Sequence, residues 1–422
     1  MMKKNKRKEK ICLFFASDYH FEMISLPYIN ENLKKNKNVI IMTENNLDNT
    51  VNKVLENVNL AKEDKERITK INWKNNDLDK FKEVKNANKE GKETLIFIKG
   101  KENYIENMNR NIENWINNSD VKVVDCYDIN EIKEDASNIE KNYTKILDFV
   151  LSKKLTRQDY IIAIGGGVVG DIAGFAASTY MRGIKFIQIP TTLLACVDSS
   201  VGGKTAIDTK YGKNLVGAFY QPNYVLINAN FLKTLDERQF KSGLGEVVKY
   251  GFIEKSCNPE APAMLLNYLT EHSEKILSRD IMTMKELIKM CISLKISVVE
   301  KDEKESGLRK ILNFGHTYGH AVENITKYKK FTHGECVVEG IHFALNLAFK
   351  LNLINKEYKF LCDDVLKKFN FKQIPQFDKN KIINIMTTDK KATQNKIIFE
   401  LPTEYAQVKE YSFSPNELKT LF

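Results

Sequence analysis

The sequence predicts an α/β N-terminal domain followed by an all-α C-terminal domain, and three observations support this. Residues 160–164 form a short apolar, β-branched run typical of a buried strand, and they lead directly into a glycine-rich turn at residues 165–171. The small apolar residues that follow, 172–178, are typical of a helix. From Asp236 onward the apolar residues recur mostly at helical spacing. At 422 residues the chain is long enough for two domains, which we place at 1–236 and 237–422.

The glycine turn fits the pattern G-x-G-x-x-G between a strand and a helix. In that setting, backbone N–H groups can approach the pyrophosphate of a dinucleotide. The next predicted strand, 185–190, ends at Thr191 and Thr192 and carries no acidic residue to bind a ribose. We therefore predict a nucleotide site that differs from the ordinary dehydrogenase type. Its residues on the turn are Gly165, Gly166, Gly167, Val168, Gly170 and Asp171.

Three of the six histidines lie between residues 316 and 333. His316 and His320 are four residues apart, so they share one face of a helix, and His333 follows one loop later. Upstream, Glu246 and Lys249 have helical i, i+3 spacing. Two histidines and one glutamate would make a three-ligand Zn²⁺ site with an open position. Alternatively, the histidines cap helices or fill small gaps, and spacing alone does not decide between these interpretations.

Composition excludes several other classes of protein. Seven scattered cysteines without a C-x-x-C motif predict a reducing compartment and no disulfide framework. No apolar run approaches the roughly 20 residues that a membrane span requires. The net charge is +10, but the lysines are dispersed among Glu and Asn, so nucleic acid is not an expected partner. The basic start is interpreted as a tail before a first strand, and a cytoplasmic location is expected.

Residues 155–402 resemble the 3-dehydroquinate synthase family in motif after motif. The matching blocks occur in the family's order and with similar gaps. They are the glycine turn and residues 181–183, 190–194, 197–205, 212–217, 245–250, 305–309, 312–320 and 333–335. The resemblance implies an NAD-binding α/β domain, a helical domain that carries Zn²⁺ or Co²⁺, and a homodimer.

The resemblance also implies a reaction. In this family, 3-deoxy-D-arabino-heptulosonate 7-phosphate (DAHP) is converted to 3-dehydroquinate and phosphate in the shikimate pathway. NAD⁺ takes a hydride from the substrate and later returns it, so it is not consumed. The expected partner is therefore a small anionic sugar phosphate, with neither nucleic acid nor membrane involved.

Site residues follow from the resemblance position by position. Glu246, His316 and His333 correspond to the metal ligands, whereas His320 corresponds to a histidine that binds substrate and moves protons. The expected catalytic residues are Asp198, Lys204, Glu246, Lys249 and His320. The expected substrate-binding residues are Arg182, Lys204, Lys213, Asn214, Lys249, Lys295, Arg309, Asn313, His320 and Lys390. Beyond the glycine turn, the expected cofactor-binding residues are Glu44, Thr191, Thr192, Asp198 and Lys213.

Two of these residues carry more specific expectations. Arg309 corresponds to an arginine that clamps a carboxylate with its two-pronged donor set. Because Asn313 lies four residues later and one turn before His316, all three are expected to line one helical wall. Arg182 is expected to reach in from a partner subunit.

Several positions depart from the family pattern. Glu44 stands where the family has a ribose-binding Asp, and Asn395 stands where it has a glycine. Cys336 replaces a small residue, either as a soft auxiliary metal ligand or as a buried thiol. Residues from about 50 to 120 are rich in Asn, Lys and Glu and are interpreted as an insertion, partly folded because of the apolar run at 94–98.

Three other functions remain open at this point. Another sugar phosphate cyclase should lack part of the carboxylate-binding set. An NAD- and metal-dependent polyol or glycerol dehydrogenase would need no clamp for carboxylate and phosphate. A catalytically inactive scaffold would be expected to have lost metal or base residues.

Overall fold

The computed structural model describes residues 139–209, 212–260, 263–387 and 396–422, together with five earlier strands and the isolated helical positions Ile29 and Leu33. Its contacts divide the chain into two compact units. The first contains the chain up to Ile189 and Lys204–Leu226, and the second contains Pro190–Gly203 and Ile227–Phe422. The predicted domain division at residue 236 stays a prediction.

A parallel sheet forms the centre of the first unit. In the part of the chain that the structure describes, it has eight strands in the order β10-β7-β6-β1-β5-β4-β2-β3. These strands are β1 (Lys10–Phe15), β2 (Asn38–Thr43), β3 (Ile68–Asn72), β4 (Thr94–Gly100), β5 (Val121–Asp128), β6 (Tyr160–Gly165), β7 (Lys185–Pro190) and β10 (Tyr224–Val225). Residues 161–165 of β6 are all buried, which suits a central parallel strand covered on both faces.

The order of the strands reverses beside β6. Strand β1 lies between β5 and β6. Strands β2 to β5 lie on one side of β1, whereas β6, β7 and β10 lie on the other. In open parallel sheets, ligands bind outside the carboxyl ends of strands at such a reversal. The glycine turn leaves the carboxyl end of β6 at this point.

Among the described residues, helix α1 (Ile139–Ser152) follows β5 in the chain and helix α2 (Gly167–Thr179) follows β6. Gly166 is the N-cap of α2, as a pyrophosphate-binding turn requires. A Cβ on Gly174 would lie 2.4 Å from Thr205 Cγ2 and 2.9 Å from Phe186 Cε1. Glycine therefore allows α2 to approach the neighbouring strands this closely.

A strained turn and a hairpin also belong to the described part of this unit. The turn, a 3₁₀-helix at Tyr180–Arg182, has positive φ at Met181 and Arg182, and Arg157 donates two hydrogen bonds to the Met181 carbonyl. Strands β8 (Lys204–Thr209) and β9 (Gly212–Phe219) pair in antiparallel fashion.

The second unit is helical, as predicted. Its elements are a π-helix (Ala195–Ser199), a 3₁₀-helix (Ala229–Thr234), α3 (Glu237–Cys257), α4 (Leu265–Glu271), α5 (Ser273–Leu277), α6 (Ile281–Val299), a 3₁₀-helix (Leu308–Asn313), α7 (His316–Ile325), α8 (His333–Lys350), α9 (Lys356–Lys368), α10 (Lys379–Thr387) and α11 (Pro415–Leu421). An antiparallel pair that the all-α prediction did not include, β11 (Ile397–Glu404) and β12 (Gln407–Phe413), adds a small sheet.

Polar caps explain where the main helices begin. Asp236 accepts hydrogen bonds from the backbone N–H groups of Arg238 and Gln239 at the start of α3. Thr332 and Glu335 form a capping box at the start of α8. These caps fix the ends of two helices that carry predicted ligands.

Glycines bring α3, α7 and α8 into backbone contact. A Cβ on Gly334 of α8 would lie 1.8 Å from the carbonyl oxygen of Ser242 in α3. Likewise, a Cβ on Gly340 would lie 1.7 Å from the carbonyl oxygen of Gly315, the N-cap of α7. No larger residue fits at either contact unless the helices move apart.

The Asn/Lys-rich stretch, the helix lengths and the cysteines bear on three further predictions. Strands β3 and β4 come from the Asn/Lys-rich stretch and pair within the main sheet, so that stretch is partly folded, as predicted. Among the described residues, no helix is both long and apolar enough to cross a bilayer. The five described cysteines, Cys336 among them, are buried and form no disulfide with one another.

Gly340→Ala should lower the free energy of unfolding by about 1–3 kcal/mol, because the added methyl group meets a main-chain oxygen that cannot rotate away. The measurement is urea unfolding of both proteins. Gly251→Ala is the matched control, since a Cβ there would meet the flexible end of Leu269 at 2.9 Å. Equal losses in the two variants would contradict the close contact at Gly340.

Candidate metal centre and polar cluster

Three helices bring two histidines and a glutamate together in the second unit. Glu246 lies on α3, and His316 and His333 are the first residues of α7 and α8. Their ligand atoms all lie within 4.8 Å of one another. His316 Nε2 lies 3.4 Å and His333 Nε2 3.2 Å from Glu246 Oε1. Two imidazole nitrogens and a carboxylate oxygen form the donor set of a three-ligand zinc site.

The environment of Glu246 fits a divalent cation. Its side chain is buried, with the Lys249 ammonium against one carboxylate oxygen and the Nε2 atoms of His316 and His333 near the other. A buried carboxylate is costly unless positive charge compensates for its own. Lys249 supplies part of that charge, and a divalent cation on the histidine side would supply more. The His333 side chain is 32% exposed, so one side of the group is open, as a catalytic site requires.

The ionisation of this group suits metal binding. Burial alone would raise the pKa of Glu246, but Lys249 and His316 outweigh it and hold that pKa well below its usual value. Burial lowers the pKa of His316 to about 4, so its imidazole is neutral. For His333, burial would lower the pKa, but the carboxylates of Glu246 and Glu323 raise it instead. A metal at this position would therefore displace a proton from His333.

A second polar cluster surrounds Asp198, which lies on the π-helix. Lys295 Nζ lies 3.1 Å from Asp198 Oδ1 and also donates to the Asp198 carbonyl at 2.6 Å. The hydroxyl of Tyr250 donates to the same carboxylate. Lys249 Nζ contacts Glu246 Oε2 and lies 3.9 Å from Asp198 Oδ1, so it links the two clusters.

The charges of this cluster stabilise one another. Burial would raise the pKa of Asp198, but Lys295 and Lys249 lower it to about 2. Burial would likewise lower the pKa of Lys249, whereas Glu246 and Asp198 raise it. The pKa of Lys295 is lowered, because burial outweighs its contact with Asp198. An ionised carboxylate thus holds two buried ammonium groups in place.

His320 lies beside the metal-ligand group. Its ring centroid is 5.3 Å from that of His316 and 6.2 Å from that of His333. His320, Glu323 and His333 form a second group whose ligand atoms lie within 4.8 Å of one another. Its predicted role in proton transfer, instead of metal binding, stays a prediction.

Arg309 is buried and donates to main-chain carbonyls. Its Nη2 donates to the Gly202 carbonyl at 3.0 Å and its Nη1 to the Glu303 carbonyl. Asp302 accepts the Arg309 backbone N–H at 2.9 Å and further N–H groups of the same loop. The guanidinium therefore connects two loops of this unit, and its predicted contact with a substrate carboxylate is not tested.

The expected single helical wall through Arg309, Asn313 and His316 is wrong. Arg309 and Asn313 belong to a 3₁₀-helix that ends at Asn313, and α7 begins only after Gly315, which has φ +78°. Asn313 Nδ2 donates to Glu305 Oε1 at 2.8 Å. The break arises because a left-handed residue cannot continue either helix.

The remaining predicted residues are distributed over both units. Thr191 and Thr192 precede the π-helix, and Thr192 Oγ1 accepts the Ala195 N–H at 3.2 Å. In the first unit, the glycine turn lies at the N-terminus of α2, and four polar side chains are exposed: Arg182, Lys204, Lys213 and Asn214. Glu44 and Lys390 lie outside the described residues.

Two residues of the clusters were not predicted from the sequence. Tyr250 directly follows Lys249 in the block at residues 245–250, so its proximity to a predicted site residue was a usable signal. Glu323 follows His320 by three residues on α7 and therefore shares its face.

Comparison with known proteins identifies the family. The family profile described as 3-dehydroquinate synthase N-terminal matches residues 129–242, and the one described as 3-dehydroquinate synthase C-terminal matches residues 243–392. The chain belongs to the 3-dehydroquinate synthase family. The 3-dehydroquinate synthase of Alkaliphilus metalliredigens is 45% identical over 280 residues, which cover 66% of this chain and 77% of that protein. That of Ruminiclostridium cellulolyticum is 41% identical over 316 residues, which cover 73% and 85%.

Solved structures support the same fold. A 2-epi-5-epi-valiolone synthase from Streptomyces hygroscopicus subsp. jinggangensis, solved with NAD⁺ and Zn²⁺, has a TM-score of 0.64 at 18% identity and covers 100% of this chain and 98% of its own. A 2-deoxy-scyllo-inosose synthase, solved with carbaglucose-6-phosphate, NAD⁺ and Co²⁺, has a TM-score of 0.61 at 22% identity, with coverages of 97% and 95%. At these identities the likeness establishes a two-domain fold like that of the 3-dehydroquinate synthase family.

His316→Ala should lose bound zinc and catalytic activity while the helical fold remains, because one of three converging donors is removed. Zinc is measured by elemental analysis and the fold by circular dichroism. His342→Ala, which removes a histidine outside both ligand groups, is the control. Full zinc occupancy in His316→Ala would show that the ligands are different residues.

Arg309→Lys should lower the free energy of unfolding by about 1–3 kcal/mol, since lysine cannot reach the Gly202 and Glu303 carbonyls together. The control is Lys310→Ala, which breaks an exposed contact with Glu410 worth about 0–1 kcal/mol. Urea unfolding of the metal-free proteins compares the two. Unchanged stability in Arg309→Lys would show that its two carbonyl contacts do not hold the loops.

Proposed function

We propose that this protein is a 3-dehydroquinate synthase, which converts DAHP to 3-dehydroquinate and phosphate. The observation that carries the proposal is the convergence of Glu246, His316 and His333 beside the Asp198 cluster, in a chain of this family. Relatives that bear this name are 41–46% identical to the chain over most of its length. The reaction belongs to the shikimate pathway and is that of a carbon–oxygen lyase.

Two groups supply chemistry that side chains cannot. A Zn²⁺ or Co²⁺ ion held by Glu246, His316 and His333 would act as a Lewis acid on substrate oxygen atoms. The glycine turn at the N-terminus of α2 would hold NAD⁺, which would supply reversible hydride transfer. The dipole of α2 and the absence of an acidic residue in its first turn favour the cofactor's phosphates there.

The protein's own side chains bind the substrate and move protons. The ammonium groups of Lys249 and Lys295 offer positive charge to an anionic substrate, and Asp198 keeps both in position. Asp198 Oδ1 is also the proposed acceptor for a substrate hydroxyl. His320, beside the metal-ligand group, is proposed to take and return a proton, because an imidazole nitrogen can accept a proton and donate it again.

Other residues are proposed to bind the ends of the substrate. The exposed Lys204, Lys213 and Asn214 suit contacts with the substrate and the cofactor. Arg309 is proposed to bind the substrate carboxylate. To do so, its guanidinium must give up or share the hydrogen bonds that it donates to the Gly202 and Glu303 carbonyls. Arg182 is proposed to complete the site of a partner chain in a cytoplasmic homodimer.

The test is to incubate the purified protein with DAHP, NAD⁺ and Zn²⁺, and to follow phosphate and dehydroquinate together. Equal amounts of the two products are expected. A sugar phosphate without a carboxylate serves as the comparison substrate. If the buried Arg309 binds the carboxylate of DAHP, a substrate without that group leaves the guanidinium without its partner and should react more slowly. Turnover of that compound in preference to DAHP would favour another sugar phosphate cyclase.

Activity should require NAD⁺, yet no net NADH should accumulate, because the hydride returns to the substrate. Absorbance at 340 nm during many turnovers measures this. A flat trace with product formation is expected. Stoichiometric NADH would instead indicate a polyol dehydrogenase and contradict the proposed lyase.

A further inference from the structure

The ring of His333 lies between two carboxylates. Its Nε2 lies 3.2 Å from Glu246 Oε1, on the side where the ligand atoms converge. Its Nδ1 lies 3.3 Å from Oε1 of Glu323. Glu323 is 5% exposed, so this second carboxylate is nearly as buried as the first.

This arrangement decides which ring nitrogen can carry the proton. If Nε2 binds a metal, Nδ1 must hold the hydrogen, and a buried carboxylate is a strong acceptor for it. His316 shows the same arrangement with a different acceptor, because its Nδ1 lies 3.1 Å from the Phe314 carbonyl oxygen. Each imidazole of the group therefore has an acceptor behind it.

Glu323 is also well placed to hold that geometry. It lies on α7, seven residues after His316 and three after His320, so all three share one face of the helix. His333 belongs to α8, which packs on α7 through Gly340 and Gly315. The contact thus ties a side chain of α7 to a ligand that begins α8.

We propose that Glu323 is a positioning residue that orients His333 and fixes its tautomer for binding a divalent metal. This inference rests on the proposed metal site of Glu246, His316 and His333. Carboxylates behind a metal-bound histidine also raise its basicity, and their loss typically weakens metal binding about 10–100-fold. Glu323 does not touch the metal in this proposal.

The experiment compares Zn²⁺ affinity in wild type, Glu323→Gln and Glu323→Asp, by competition with a chromogenic chelator. Glu335→Gln is the matched control: Glu335 is also buried and only two residues from His333, but it caps α8, a role that Gln also performs. The visible absorption of each Co²⁺-loaded protein reports ligand geometry independently of activity. Urea unfolding of the metal-free proteins reports any purely structural effect.

Glu323→Gln should bind Zn²⁺ about 10–100-fold more weakly and show an altered Co²⁺ spectrum. Glu335→Gln should match wild type, and Glu323→Asp, which keeps the charge, should recover part of the affinity. If Glu323→Gln does not fold, the Zn²⁺ affinity and the Co²⁺ spectrum of Glu323→Asp are compared with those of wild type instead.

Three results would overturn the inference. Wild-type affinity and spectrum in Glu323→Gln would leave the metal site intact but remove the role of Glu323. Two Zn²⁺ per chain that fall to one in Glu323→Gln would make Glu323 a direct ligand, together with His320 and His333. Absence of tight Zn²⁺ binding in wild type would instead show that the proposed metal site, and with it the proposed function, has failed.

Discussion

The geometry of the candidate site depends on the backbone contact between three helices. Gly334 of α8 lies against Ser242 of α3, and Gly340 of α8 lies against Gly315 at the start of α7. Each predicted ligand directly adjoins a glycine in tight contact: Glu246 follows Gly245, His316 follows Gly315, and His333 precedes Gly334. The same contacts that let the helices touch therefore bring the three donor groups within reach of one ion.

This constraint also explains why charged groups are buried here. Glu246 and Lys249 are almost completely inaccessible, and moving such ions out of water costs several kcal/mol each. Their mutual contact offsets part of that cost, and the link to Asp198 and Lys295 offsets more. Apolar residues of similar volume at the same positions would give an equal or larger free energy of unfolding. Buried, coupled charges of this kind are typical of functional sites, where substrate or metal completes the balance.

The sequence predicted the local elements well and the long-range ones poorly. Short-range patterns of apolar residues and glycine predict the limits of β7 and the succession of strand, glycine turn and helix, and the structure confirms both. The helix α2, however, begins at Gly167, within the predicted turn. The sequence could not show that Pro190–Gly203 belongs to the helical unit. The Gly202 carbonyl of this segment accepts a hydrogen bond from Arg309, which is more than a hundred residues away in the chain. The pairing of β11 with β12 was missed for a different reason. Short apolar runs do not distinguish a strand from a buried helix segment.

The histidines show how far spacing can be taken. The i, i+4 pair of His316 and His320 is the obvious ligand pattern on one helix. The structure places His316 beside Glu246 and His333, and His320 beside His333 and Glu323. What spacing cannot supply is the direction of each ring, because that depends on the acceptor behind it. For His316 the acceptor is a main-chain carbonyl just before α7, where the chain turns at Gly315. For His333 it is Glu323, ten residues earlier and on another helix. The geometry of the predicted ligand set therefore depends on the ligands and on the acceptors behind their rings. Only the ligands can be recognised from a sequence motif.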